Sequence, residues 1–180
     1  NLMIAAPRNE VELRNMLFTA QLELDAPIII RYPRGRGVLK EWKLPFKKIT
    51  WGKGELLKEG DEVAVLSLGN MAENVLKAIE KLETPEKVAH YDMKFVKPLD
   101  EELLRSIFKK FSKIITVEDG VKKAGFGSEI LEYAASLDYK GNIEVLGVPD
   151  EFIEQGSVDQ LQEISGIHVE GIRQKLESMI

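Results

Sequence analysis

Short apolar runs alternate along this chain with stretches whose apolar residues recur every three or four positions. That alternation predicts strands separated by amphipathic helices. Residues 2–6 read as a short strand. Asn9 can cap a helix, and Glu12 three residues later completes a capping-box pattern. Leu13, Met16, Leu17, Ala20 and Leu24 then share one helical face. Asp25-Ala26-Pro27 ends that helix and Ile28-Ile29-Ile30 follows. Three isoleucines in a row predict a strand buried on both sides. The strand–helix–strand order predicts a parallel pair joined by a right-handed crossover.

Residues 39–61 lose this period. Pro45, Trp51-Gly52-Lys53-Gly54 and Glu59-Gly60-Asp61 interrupt them, and lysines recur. They read as a linker running into an edge hairpin around residues 52–57. A second block spans 62–180. Strands are predicted at 63–68, 87–91, 113–117 and 143–148. Asn70, with Glu73 as its partner, caps a helix whose inner stripe is Ala72, Val75, Leu76, Ile79 and Leu82. Asp100 starts a second helix with Leu103, Leu104, Ile107, Phe108 and Phe111 inward, and Ile130, Leu131, Ala134 and Leu137 mark a third. Ser157 and Gln160 cap a short helix, and Val169, Ile172, Leu176 and Ile180 mark a final one. The predicted class is α/β: a doubly wound, mostly parallel, three-layer domain preceded by a partial α/β unit.

Composition narrows the function classes. The chain has 180 residues, 44% hydrophobic and 31% charged, which suits a globular protein of one domain or slightly more. A net charge of −5 argues against nucleic acid as a partner. The absence of cysteine excludes disulfides, thiolate metal sites and thiol catalysis, and suits a reducing, cytoplasmic setting. No apolar run approaches the ~20 residues of a membrane-spanning helix, so no membrane partner is expected. The chain opens in the body of a strand, without a signal peptide, and reads as a piece of a larger protein.

The candidate chemistry begins where the isoleucine run ends, at Arg31-Tyr32-Pro33-Arg34-Gly35-Arg36-Gly37. Ligands of open parallel sheets bind beyond the carboxyl ends of the strands. Arginine there can grip a phosphate or carboxylate with two parallel hydrogen bonds. Arg34 lies on the constrained part of the turn, Arg31 is still on the strand, and Arg36 reads as solvated. A surface bend with solvated arginines is the other reading of the same residues. Ala124-Gly125-Phe126-Gly127-Ser128 could cradle phosphate on helix amides, but it lacks the third glycine of a dinucleotide fingerprint and the lysine of a P-loop. Close helix-on-strand packing explains it as well. Glu118-Asp119 reads as a metal or acid–base pair, or as a hydrogen-bonded turn network. His90 reads as a structural polar contact or interface residue, and His168 as an exposed residue near a helix cap. Neither histidine has metalloprotease spacing, and no Gly-x-Ser-x-Gly elbow occurs.

Several segments together resemble the transketolase superfamily, and within it the 1-deoxy-D-xylulose-5-phosphate synthases. They are Arg31-Tyr32-Pro33-Arg34-Gly35, Trp51-Gly52-Lys53-Gly54, Phe95-Val96-Lys97-Pro98-Leu99-Asp100, Thr116-Val117-Glu118-Asp119-Gly120, Gly125-Phe126-Gly127-Ser128 and Gly147-Val148-Pro149-Asp150. The first and third of these are the more specific to the synthases.

The resemblance implies a homodimeric transferase that condenses pyruvate with glyceraldehyde 3-phosphate and releases carbon dioxide, using thiamine diphosphate and magnesium. It implies that residues 1–38 are the tail of the pyrimidine-binding middle domain and that 62–180 are the C-terminal domain. It also implies that Arg34, with Arg31 second, holds the substrate phosphate. A 2-oxo-acid dehydrogenase β-type or transketolase-like subunit needing a partner chain is the alternative. The family's Gly-Asp-Gly…Asn motif, its activating glutamate and its proton-transfer histidines have no counterpart in this sequence, so no cofactor, metal or catalytic residue is expected here. Isothermal calorimetry with thiamine diphosphate and magnesium on these 180 residues should therefore show no saturable heat. Tight binding would overturn that expectation.

Overall fold

The computed structural model describes every residue except Leu24, Asp25, Arg36 and Val38. Three expectations (Leu24 on the helical stripe, Asp25 at the helix end, Arg36 in solvent) lie outside the described residues. In chain order the first elements are β1 (Met3–Ala5), α1 (Glu10–Glu23), β2 (Ile28–Ile30), β3 (Glu55–Lys58), β4 (Val63–Ser67) and α2 (Met71–Ile79). Next come β5 (Val88–Asp92), β6 (Phe95–Lys97), α3 (Glu101–Lys110), β7 (Lys113–Val121) and α4 (Phe126–Ser136). The chain ends with β8 (Asn142–Val148), α5 (Val158–Ile164) and α6 (Val169–Glu177).

Every residue of β4 and β5 is buried, as expected of strands covered on both faces. They lie inside a five-stranded sheet of order β3-β5-β4-β7-β8. β4 runs parallel to β5 and β7, β7 runs parallel to β8, and β3 is an antiparallel edge. Alternate side chains feed two cores. Val63, Val65, Ile115 and Val117 pack with α2 and α6 through Val75, Ile79, Ile172 and Leu176. Ala64, Leu66, Ala89 and Ile114 pack on the other face with α3 and α4 through Leu104, Ile107, Phe126 and Ile130. The expected three-layer arrangement is present.

The amino-terminal unit departs from its reading. β1 and β2 pair in parallel, in register from Met3 with Ile28, as the strand–helix–strand order predicts. The sheet then takes its third strand from far along the chain, since β6 pairs antiparallel with β1. β2 is an edge strand and Ile29 is 49% exposed, so the isoleucine run is not buried on both sides. Strand 52–57 is likewise no hairpin. Trp51 and Gly52 form a turn, and β3 pairs with β5 rather than with a neighbour in sequence.

The inner face of α1 is rotated by one position from the apolar stripe. Glu12, Asn15, Met16 and Thr19 are buried, whereas Leu17 is 52% exposed. Residues 39–50 explain this. They run along α1 as an extended strap whose backbone needs partners. Asn15 Oδ1 accepts the Lys47 N–H at 3.0 Å, and Thr19 Oγ1 accepts the Ile49 N–H at 3.1 Å. Arg14 donates to the carbonyls of Trp42 and Leu44 at 2.7 and 2.9 Å, and Phe18 stacks on Phe46. A polar helix face is thus buried because it satisfies backbone groups.

Caps vary in the same way. Asp100 Oδ1 accepts the Leu103 N–H, and Ser157 with Gln160 forms a full capping box. Asn70 makes no side-chain cap bond, because its own backbone is helical. Leu131, expected inward, is 42% exposed on the outer side of α4.

The strap supplies a stability test. Thr19→Val leaves the half-buried Ile49 N–H without its acceptor, which should cost about 1–3 kcal/mol. Denaturant unfolding measures the loss, and faster hydrogen exchange at the Ile49 amide locates it.

Candidate functional site

The carboxyl ends of β1, β2, β4 and β7 converge where the two sheets meet, and the arginine turn lies there. Arg31 still follows the strand, its N–H donating to the Ala5 carbonyl at 2.8 Å. Pro33 then turns the chain, and Gly35 takes a φ of 151°, a conformation that side-chain-bearing residues rarely adopt. The far end of the turn is held by Glu10, whose Oε1 accepts the Leu39 N–H at 3.2 Å.

A cleft of about 400 Å³ opens beside this turn. One wall is the turn itself, Tyr32 to Gly35. The opposite wall is the β1–α1 connection, from Pro7 to Glu10. The third side is α2, through Asn70, Glu73, Asn74 and Lys77. Arg34 faces this cleft and, among the described residues, makes no hydrogen bond or ion pair with protein. Arg8 and, from the other unit, Lys77 also line it, with Glu10 and Glu73 among the same residues.

Arg31 faces elsewhere. It lines a smaller cavity of about 130 Å³ with Gly69, Asn70 and Asp119, separated from the cleft by Tyr32 and Pro33, which border both. Its Nη1 would lie 3.6 Å from a Cβ placed on Gly120, beside the Glu118 carboxylate. The two arginines thus line adjoining cavities that share Tyr32, Pro33 and Asn70.

Glu118 is a cap. It is 3% exposed, and its two oxygens accept the N–H groups of Phe126 and Gly127 at 3.0 and 2.8 Å. Burial pushes its carboxyl up, opposed by those two bonds and by the charge of Arg31. The amides at the start of α4 are consequently taken, which removes the phosphate-cradle reading of the glycine-rich turn. Gly127 is there for packing: a Cβ would meet Val145 Cγ1 at 2.5 Å and Thr116 Oγ1 at 2.7 Å. Asp119 reaches the small cavity beside Arg31.

His90, expected as a structural polar contact or interface residue, makes a buried polar contact within a cluster whose other members the sequence did not bring together. His90, Asp92 and Ser67 are fully buried at the ends of β5 and β4, with Glu12 of α1 almost as deep. Ser67 Oγ and His90 Nε2 are 2.7 Å apart, and Arg8 Nε lies 3.9 Å from Asp92 Oδ2. Lys94 Nζ reaches Glu12 at 3.3 Å and Glu55 at 2.6 Å. Burial, and then the neighbouring charge of Glu12, hold the Asp92 carboxyl well above its usual range. Burial opposes the charge on Lys94, but Glu12, Glu55 and Asp92 outweigh it and its pKa rises. Glu12, Asn15, Met16 and Thr19 fall on one helical face by spacing, so polar residues at helical period were the available sign. His168 stands at the N-cap position of α6, half-buried and without a side-chain cap bond.

Residues 52–172 match the family model "Transketolase, C-terminal domain". The chain belongs to that family. It is also similar to 1-deoxy-D-xylulose-5-phosphate synthases: 47% identical over 178 residues to that of Parabacteroides distasonis and 49% over 180 to that of Phocaeicola vulgatus. These alignments cover 98% and 99% of this chain and 28% of each relative, so the chain spans a little over a quarter of their length. Among solved structures, one titled "Split gene transketolase, inactive beta4 tetramer" matches with a TM-score of 0.83 at 27% identity. That match covers 99% of this chain and 57% of the other.

The buried histidine makes stability depend on acid. Burial, with Arg8 assisting, pushes the His90 imidazole from 6.5 down to about 3. The fold thus holds it neutral, and its stability contribution, full above the ordinary value, is lost as pH falls from about 6.5 towards 3. His90→Gln should flatten the fall of unfolding free energy across that window relative to the unsubstituted protein, measured by denaturant melts at several pH values. Parallel curves for the two proteins would contradict the assignment.

Proposed function

We propose that this chain is the C-terminal portion of a 1-deoxy-D-xylulose-5-phosphate synthase, in which Arg34 holds the phosphate of glyceraldehyde 3-phosphate. The observation carrying the reading is the position of Arg34 in the cleft between the two units, at the carboxyl ends of parallel strands and with no protein partner among the described residues. Identity of 47–49% to synthases across almost the whole chain supports the reaction class. A guanidinium on a constrained turn pre-orients two donors for a phosphate. Lys77, across the cleft, adds a positive charge beside Glu73 in the same lining. Arg31 contributes in second place, from the adjoining cavity.

In the intact enzyme the condensation of pyruvate with the aldehyde, and the loss of carbon dioxide, depend on thiamine diphosphate and magnesium, which supply the carbanion chemistry. The described residues of this chain do not fit that group: no three carboxylate or histidine side chains come together as metal ligands, and the amides at the α4 terminus are taken by Glu118. A cytoplasmic homodimer is the assembly that goes with this reading. The activity would feed the supply of isoprenoid, thiamine and pyridoxal precursors.

A second reading, a separate β-type subunit that works only with a partner chain, is supported by the likeness to a split-gene transketolase whose title describes an inactive β4 tetramer. The reading frame upstream of Asn1 distinguishes the two.

Arg34→Ala in the intact synthase should raise the KM for glyceraldehyde 3-phosphate by roughly tenfold or more, the loss expected for one charge-assisted hydrogen bond. The KM for pyruvate should stay within about twofold. Equal effects on both substrates, or none, would leave Arg34 a structural residue.

A further inference from the structure

The wall of the cleft opposite Arg34 is not held by its own helix alone. A second hold comes from residue 94, just beyond the end of β5 in the other sheet. Lys94 has a φ of 57°, a left-handed conformation in a residue with a side chain. That conformation persists only where surrounding contacts over-determine it.

The contacts are on both sides of the residue. Its N–H donates to Asp92 Oδ1 at 3.2 Å, and its carbonyl accepts the Ala6 N–H at 2.8 Å, where β1 ends. Its ammonium group reaches Glu12 on α1 at 3.3 Å and Glu55 on β3 at 2.6 Å. Glu12 passes the constraint on, since its Oε2 accepts the Arg8 N–H at 2.9 Å and its own N–H donates to Asn9 Oδ1 at 3.1 Å. Residues 6–12 are thereby pinned at both ends by one lysine, and Pro7 to Glu10 of that segment form the wall.

We infer that Lys94 is a positioning residue for the anion cleft: it sets the distance between the β1–α1 connection and the arginine turn, and so decides whether Arg34 meets a bound phosphate at the right depth. The charge matters as well as the reach, because Glu12 is nearly buried beside Asp92, and Lys94 at 3.3 Å shares the neutralising of its carboxylate with Arg8 at 3.6 Å. An arginine can serve both carboxylates with a similar span. A methionine can only fill the space. A glycine relieves the left-handed backbone but supplies neither cation nor stem.

The inference rests on the phosphate-binding reading of Arg34, and its test separates the two. In the intact synthase, Lys94→Met should raise the KM for glyceraldehyde 3-phosphate about five- to tenfold, with kcat and the KM for pyruvate within about twofold. Lys94→Arg should restore the wild-type value. Lys94→Gly should show the same KM defect as Lys94→Met while losing less stability, which a purely structural lysine would not do. Hydrogen exchange in the same enzyme should quicken at the Ala6 and Arg8 amides in the methionine and glycine variants. If either variant fails to fold, Glu12→Gln, which keeps the shape and removes one partner charge, should show the same KM bias at smaller size.

Unchanged KM together with unchanged exchange at residues 6 and 8 overturns the inference. So does a loss of both substrates in proportion to lost stability. If Arg34→Ala leaves the aldehyde KM unaltered while Lys94→Met still quickens exchange at residues 6 and 8, the phosphate reading fails and the structural hold of Lys94 on the wall stands.

Discussion

Everything about the site depends on one strand changing sheets. β5 ends the parallel ladder at Asp92, and three residues later the chain pairs antiparallel with β1. Without that pairing the end of β1 would leave backbone groups unpaired at the centre of the molecule, where such groups cost free energy. With it, Phe95 packs against Ala5 and Met16, and Trp51 closes the edge of the same small core. The two sheets become mechanically continuous at the point where four strands present their carboxyl ends.

That continuity is electrostatically demanding. Joining the sheets brings Glu12, Asp92, Glu55, Arg8 and Lys94 within a few ångströms, most of them deep. Buried charges are tolerated only when paired and hydrogen-bonded, and removing one partner costs more than the pair contributes. The arrangement here meets the pairing by sharing, although Asp92 Oδ2 and Arg8 Nε, 3.9 Å apart, make no hydrogen bond. Lys94 bridges two carboxylates, Glu12 takes a backbone N–H, and Asp92 takes another. The polar inner face of α1 follows the same logic, spending Asn15 and Thr19 on the backbone of the strap rather than on an apolar contact. Two glutamates far apart in sequence, Glu118 and Glu12, thus both accept backbone N–H groups at helix starts, Phe126 and Gly127 at α4 and Arg8 ahead of α1.

The sheet block was legible because its periods are clean. Val63–Leu66 is an uninterrupted apolar run, 88–92 and 113–117 are short stretches rich in apolar residues, and Ile107, Ile130 and Ile172 sit on stripes that do face the sheet. The amino-terminal unit was less so. Leu17 sits on the predicted stripe yet faces out, because the strap competes for that face with hydrogen bonds that periodicity does not register. β6 is three residues long and has no signal that distinguishes pairing with β1 from continuing as a loop. Within the candidate site, Arg34 and its constrained turn stood out by residue type. The α2 side of the cleft, with Lys77, did not, since a lysine on the outer face of a helix looks like every other solvated lysine.

Local chemistry in the sequence by itself determined the layered α/β class, the parallel pairing of β1 with β2, the caps at Asp100 and Ser157 and the presence of an arginine turn at a strand end. Each of these follows from residues within a few positions of one another. Only the tertiary structure decided that Arg31 and Arg34 face separate cavities, that the glycine-rich turn has its amides already filled by Glu118, and that Lys94 stands behind the wall of the cleft. Those outcomes turn on contacts outside any one element, from eight or nine positions for Glu118 with Phe126 and Gly127 to tens of positions for Lys94, where hydrogen-bond satisfaction and the pairing of buried charges, rather than period or propensity, select the arrangement.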